Sequence, residues 1–348
     1  MQDIRYFLFF VLISSPLLAE MPFPQCDENL CATGCEGSHV WVGGEWIYWK
    51  PRKADLDYAF HYNGTTLFGD VEHVSPHYHN GFKIFAEAES GRLFFGTHYT
   101  YFTAREDNSV EDLVFDQLAA TRLPVQNSYT IPGDIQHAQA SYGVRLHIGQ
   151  VESGYSLRVR KSVHATLLGG FSGVFIKQKL NLLYATNAED AEEEPDRLIP
   201  LNSMDLIKSS VDMSAYGPYV GFNVRWEWFK GVGIYSRATV GSLLAKFNRH
   251  YAHSGTPGNL LIATDDAVED KTHRIISHID LASGIYIEGF DCSAIKVSLT
   301  LGCQIHHFFN LADFFDLRHT DVIDEHAFDY HGDGLGFDGL YLGLMLTF

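Results

Sequence analysis

The chain ends Asp338-Gly-Leu-Tyr-Leu-Gly-Leu-Met-Leu-Thr-Phe348, and this stretch alternates without a break. Leu340, Leu342, Leu344, Leu346 and Phe348 fall on one face. Gly339, Tyr341, Gly343, Met345 and Thr347 fall on the other. A repeat of two is a strand. A face made only of leucine and phenylalanine needs an apolar surrounding, which is either a protein core or lipid. This segment alone leaves both open: the buried last strand of a soluble domain, or one stave of a membrane barrel.

Working back from it, the same alternation recurs. His39–Trp49 sets Val40, Val42, Gly44, Trp46 and Tyr48 on one face. Gly81–Glu89 sets Phe82, Ile84, Ala86 and Ala88 against Lys83, Glu87 and Glu89. After a tight turn at Ser90-Gly91, Arg92–Thr103 follows, with Leu93, Phe95, Tyr99 and Tyr101 together. In Gln136–Gly149, Ala138, Ala140, Tyr142, Val144, Leu146 and Ile148 oppose His137, Gln139, Ser141, Arg145 and His147. Val163–Ile176, Ala215–Glu227, Gly231–Phe247, His273–Glu288 and Ser293–His307 continue the pattern. With the last strand this makes about ten, and a further hairpin in the long connections would make twelve.

The connections alternate in length. Lys50–Asn80, Ala104–Ile135, Lys177–Ser214, Asn248–Thr272 and Phe308–Phe337 are long. Ser90-Gly91, Trp228–Lys230 and Gly289–Cys292 are short, and Gln150–Ser162 is intermediate. An up-and-down barrel with long external loops and short periplasmic turns gives this order, whereas a soluble sandwich mixes its loop lengths.

The start of the chain favours export. Arg5 precedes the apolar run Tyr6–Ile13, and Ser14-Ser15-Pro16-Leu17-Leu18-Ala19 follows. This predicts a signal peptide over 1–19. The apolar run is short for a spanning helix, and no later stretch is longer. The net charge of -18 and the lack of a basic run argue against nucleic acid as a partner. The 31 glycines against 11 prolines, with abundant Phe and Tyr, suit strands and interfacial girdles. The expected fold is therefore all-β: a transmembrane, up-and-down, antiparallel β-barrel over 39–348. It would follow a cysteine-containing periplasmic segment over 20–38.

In such a barrel the apolar face turns to lipid and the polar face to the lumen. The candidate pore-lining residues are then Lys83, Glu87, Arg145, His147, Arg225, Glu227, Arg237, Arg274, His278, Asp280, Lys296, Gln304 and His306. Their charges, with Glu45 and Glu288, nearly balance. A balanced lumen fits either a weakly selective wet channel or a network of ion pairs that plugs it.

Two clusters invite chemistry. Cys26, Cys31 and Cys35 are spaced C-x4-C-x3-C, which is not a zinc spacing, so no metal site is expected there. In an exported protein they are disulfide candidates together with Cys292, while Cys303 falls on an apolar face. The Asp313–Asp338 connection carries Asp313, Asp316, His319, Asp321, Asp324, His326, Asp329, His331 and Asp333. Asp and His side by side can activate water or hold a divalent cation. No spacing matches a catalytic or metal motif, so a solvated acidic loop is expected, with no catalytic residues and no cofactor.

Several stretches resemble known proteins. Phe348 at the end of an amphipathic strand resembles the assembly signal of bacterial outer-membrane barrels. Trp41-Val-Gly-Gly-Glu-Trp-Ile-Tyr-Trp-Lys-Pro51, followed by Asp55-Leu-Asp-Tyr-Ala59, resembles the first strand and loop of the Legionella/chlamydial major-outer-membrane-protein-like family. Tyr216-Gly-Pro-Tyr-Val-Gly-Phe-Asn-Val-Arg-Trp226 with Gly241-Ser-Leu-Leu244 resembles a central hairpin of that family, and Gly339–Phe348 its closing strand. The loops depart most, notably Asn187-Ala-Glu-Asp-Ala-Glu-Glu-Glu-Pro195. The resemblance implies an integral outer-membrane, porin-like channel for ions and small solutes that is not an enzyme. The N-terminal cysteines resemble the chlamydial branch, which implies a cross-linked structural envelope component. The implied partners are outer-membrane lipid, the barrel assembly machinery, and disulfide-linked or homo-oligomeric envelope proteins. A surface hydrolase or adhesin acting through the loops is the alternative.

Overall fold

Alternating side chains let a strand bury one face and expose the other, and here every long strand does so around a closed ring. The computed structural model describes residues 39–54, 56–61, 70–111, 118–120, 135–160, 162–185, 204–256, 264–292, 295–312, 314 and 332–348. Residues 1–38, with the expected signal peptide and Cys26, Cys31 and Cys35, lie outside these. So does most of the Asp/His-rich connection, of which 314 and 332–338 are described.

The strands are β1 (His39–Arg52), β2 (Asp57–His61), β3 (Val71–His73), β4 (His79–Ser90), β5 (Leu93–Glu111), β6 (Leu118–Ala120), β7 (His137–Arg160), β8 (Val163–Ala185), β9 (Met204–Phe229), β10 (Val232–Thr256), β11 (Thr264–Cys292), β12 (Ile295–Ala312) and β13 (Gly332–Thr347). Ten form a closed antiparallel barrel in the order β1-β13-β12-β11-β10-β9-β8-β7-β5-β4. The final strand closes the ring on the first. Trp46 lies opposite Leu342 on one side and Phe82 on the other. Phe348 N–H donates to the Val40 carbonyl at 2.9 Å, which ties the end of β13 to the start of β1. Both lie at the end that carries the short turns; the long connections gather at the other.

An apolar belt runs around the outside. Trp46, Val220, Leu244, Ile285, Leu301 and Leu342 are among the large hydrophobic side chains exposed there. In water this much exposed apolar surface would drive association, and it fits a barrel wall facing lipid. Cys303 belongs to this outer face and is a free, exposed thiol.

The strands run further than their clean alternation suggests. The expected connection Gln150–Ser162 is mostly the lower part of β7. The expected connections Lys177–Ser214 and Asn248–Thr272 are largely upper parts of β8 to β11. Beyond the belt the wall meets water outside while its interior stays dry, so the alternation inverts: Ala138, Ala140, Tyr142, Val144 and Leu146 of β7 are buried inside the barrel. A small sheet, β3-β2-β6, sits at this loop end. Leu56, Tyr58, Ala59, Val74 and Leu118 bury into the same apolar interior, and Tyr184 Oη donates to the Tyr58 carbonyl at 2.6 Å. Burial, with the Glu72 carboxylate nearby, pushes the Tyr58 phenol above its ordinary range, so that ring stays neutral in the core.

Candidate functional site in the barrel lumen

The lumen has two zones. The loop half is apolar. Trp49 of β1, Phe102 of β5, Phe308 of β12 and Phe337 of β13 are all fully buried. Ring centroids of Trp49 and Phe102 are 5.8 Å apart, and those of Phe102 and Phe337 meet edge-on at 5.4 Å. Such contacts add about 0.5–1.5 kcal/mol per pair beyond burial. Together with Phe247 and Leu146 from the facing strands, these rings form an aromatic plate across the interior.

The turn half is polar. Its centre is Glu152 of β7, whose side chain is wholly buried. Arg237 of β10 donates to both carboxylate oxygens, at 2.9 and 2.6 Å. Tyr219 Oη of β9 donates to Oε2 at 2.7 Å, and His98 Nε2 of β5 lies 2.8 Å from Oε1. Four strands are thereby tied through one carboxylate. Fork-to-fork pairing of guanidinium and carboxylate fixes direction as well as strength.

A second knot joins β11 and β12. Gln304 Nε2 donates to Asp280 Oδ1 at 2.8 Å and lies 2.8 Å from His306 Nε2, which is 3.4 Å from the same carboxylate oxygen. The His306 ring packs 5.0 Å from the Trp49 ring, so this knot touches the aromatic plate. His278 stacks on Phe308 at 5.7 Å. Nearer the turns, Lys83 Nζ approaches Glu45 at 3.3 Å. Between these groups lies a well with a cavity volume of about 70 Å³, lined from Arg225 and Glu288 near the turns to Arg237 and Gln304. It holds a few waters at most. Among the described residues it ends against the ion pairs and the plate.

Glu87, His98 and Glu152 bring possible metal-ligand atoms within 4.8 Å of one another. Arg237 already occupies both oxygens of Glu152 with positive charge, so the donor set does not suit a cation.

Of the residues singled out from the sequence, Lys83, Glu87, Arg225, Arg237 and Gln304 line the well. His278, Asp280 and His306 are buried above it. Arg274 is half-buried on the same inward row of β11, and Lys296 is exposed on the inward row of β12 near the turns. Glu227 accepts the Gly231 N–H at 3.0 Å and caps a turn. Arg145 and His147 are corrections. They stand on the outer wall, because the apolar row of β7 fills the interior at that level. His147 Nδ1 meets Tyr99 Oη there at 2.8 Å. Glu152, His98 and Tyr219 escape sequence reasoning. Glu152 falls in a segment expected to be a connection, although it keeps the inward parity of β7.

Comparison with known proteins places the fold. No curated protein matches the chain in sequence. Among solved structures, the outer membrane protease OmpT from Escherichia coli aligns at 9% identity and TM-score 0.39, covering 89% of this chain and 96% of that one. The Pseudomonas putida toluene transporter TodX aligns at 8% identity and TM-score 0.28, covering 90% of each chain. A Pseudomonas aeruginosa FadL homologue aligns at 9% identity and TM-score 0.22, covering 89% of each. Likeness this distant carries no argument about activity. The model of the Legionella pneumophila major outer membrane protein precursor matches residues 32–348, which include the whole barrel. With a closed ring of ten strands, a lipid-facing belt and this match, the chain belongs to the Legionella major outer membrane protein family of outer-membrane β-barrels.

Proposed function

We propose that the protein is a porin-like outer-membrane barrel that rests closed, and that it also serves the envelope as a structural component. The observation that carries this reading is the filled lumen, with an aromatic plate above and the Glu152–Arg237 knot below. Solute passage then requires the plate to part, so conductance at rest is low. The plate presents no catalytic constellation, and the reading needs no enzymatic step.

Planar-bilayer recording of the refolded protein tests it. Wild type should give rare, brief openings. Trp49→Ala with Phe337→Ala should give frequent, longer ones, because removing two rings leaves a gap at the narrowest level. Steady wild-type conductance that the double variant leaves unchanged would refute a closed lumen.

Export and cross-linking belong to the same proposal. Cleavage after Ala19 should give a mature chain beginning at Glu20, readable by N-terminal sequencing. Cys26, Cys31 and Cys35 should link chains on non-reducing gels, and replacing all three by Ser should abolish the multimers. Cys303→Ser should change nothing, since that thiol lies on the lipid-facing wall. Free, alkylatable N-terminal thiols in cells would remove the cross-linking role.

A further inference from the structure

The outer wall changes character sharply where the apolar belt ends towards the loops. On β8, Leu167, Phe171 and Phe175 face outward, and the next outward residues are Lys177 and Lys179. The same switch recurs around the ring. The first charged outward residue past the belt is Lys50 on β1, Arg105 on β5, Arg145 on β7, Lys246 on β10 and Lys271 on β11. The exceptions are β4 and β12, whose outward rows carry no Lys, Arg, Asp or Glu there, and Asp212 on β9 and Asp338 on β13. The two aspartates are ion-paired, to Lys177 at 2.8 Å and to Arg52 at 2.5 Å. The whole chain carries a net charge of -18, so a cationic collar at this one level is not a reflection of composition.

The collar is densest at the seam of β7 and β8. Arg145 and Lys177 are direct cross-strand partners, and Lys179 lies beside Gly143 one step further along the same face. Like charges placed opposite each other oppose pairing unless an anion sits between them. Asp212 offsets Lys177, and among the described residues no carboxylate pairs with Arg145 or Lys179, which leaves their charge to be met from outside. Directly below, the His147 ring sits 5.0 Å from the Tyr101 ring, and the Tyr99 hydroxyl meets His147 Nδ1 at 2.8 Å. Below that shelf, Gly149 and Gly173 are cross-strand partners on the outward face, with Tyr99 beside one and Tyr216 beside the other. The two glycines add no side chain of their own there, and the Tyr216 ring edge lies against Gly173, so the strip is floored by tyrosine. From membrane to water, the wall thus offers an apolar tyrosine strip, an aromatic shelf and then paired cations.

We propose that this seam binds the phosphorylated headgroup of a glycolipid in the outer leaflet. The phosphate lies between Arg145 and the Lys177–Lys179 row, where charge-assisted hydrogen bonds hold it. A sugar ring rests on the His147–Tyr101 shelf, and an acyl chain packs on the Tyr99 and Tyr216 rings below it.

The test is native mass spectrometry of the detergent-refolded barrel with bisphosphorylated lipid A and with the same lipid after phosphate removal. Wild type should retain the phosphorylated lipid at least tenfold better than the dephosphorylated one. Arg145→Ala with Lys179→Ala should lose that preference. Arg145→Lys with Lys179→Arg should keep it, and so should Lys230→Ala at the opposite end of the barrel. Folding of each variant is checked by the mobility shift of the unheated barrel on gels. Both alanine sites are exposed, so those variants should fold. Equal retention of the two lipids, or full retention by the alanine variant, would overturn the proposal. It would also fall if inorganic phosphate displaced the lipid at matched phosphate concentration, because the site would then recognise a free anion.

Discussion

Glu152 and Arg237 sit in the polar half of the lumen with side chains 0% and 9% exposed, joined by two hydrogen bonds. Arg237→Met leaves a buried carboxylate with only Tyr219 and His98, and Glu152→Gln leaves a buried guanidinium without its counter-charge. Removing one partner of a buried pair costs about 3–5 kcal/mol. Removing both takes away the second penalty, because no bare charge is left behind. The double variant should therefore lose about as much as one single variant, not the sum of two. The coupling should then be at least about 3 kcal/mol, the top of the range for residues in one network. Urea unfolding in lipid vesicles, followed by tryptophan fluorescence and by gel mobility of the folded barrel, gives all three values. Additivity within about 0.5 kcal/mol would mean that the two side chains do not meet and that the lumen is arranged differently.

The outer face is tested by Leu301→Arg, at mid-belt on β12. The side chain is exposed on the lipid-facing wall, so folding in bilayers should weaken by about 2–4 kcal/mol in urea titrations. Arg145→Leu, above the belt, should leave that titration unchanged. Gly302→Ala should fold slowly or incompletely on stopped-flow mixing with vesicles. A methyl group there would stand 2.3 Å from both the Ser283 carbonyl and the Tyr341 hydroxyl, and the backbone cannot yield. An epitope tag inserted at Asn187 should be accessible on intact cells and one at Trp228 should not; the reverse labelling would invert the barrel in the membrane.

The barrel was legible wherever one face of a strand meets lipid. Along β12 and β13, Leu299, Leu301, Leu342 and Leu344 face out and Gln304, His306 and Tyr341 face in, so a period of two suffices. Above the belt the same period misleads. On β7, water stands outside Arg145 and an apolar core stands inside Leu146, so the apolar positions move from the outward row of the belt to the inward row above it. Periodicity reports which faces differ in polarity and is silent on which side is the lipid. The central knot was illegible for another reason. Glu152, His98 and Arg237 are brought together from positions 54 and 85 residues apart in the chain. Only the barrel register, which no local pattern contains, sets them at one level.

The length of the strands has a mechanical consequence. β7 has 24 residues, which at about 3.4 Å per residue is a contour of roughly 80 Å. Tilted at about 40°, it rises some 60 Å along the barrel axis, against an apolar band of about 25 Å. The eight residues of β7 above Arg145, His137–Val144, carry the wall on as a stiff, hydrogen-bonded collar about 20 Å past the belt. A binding partner that pulls on the long connections would load neighbouring strands in shear, with many backbone hydrogen bonds sharing the force at once. The lipid-embedded part and its central ion pairs would be shielded from that pull. The loops can therefore be tugged, or swapped for other sequences, without unzipping the barrel beneath them.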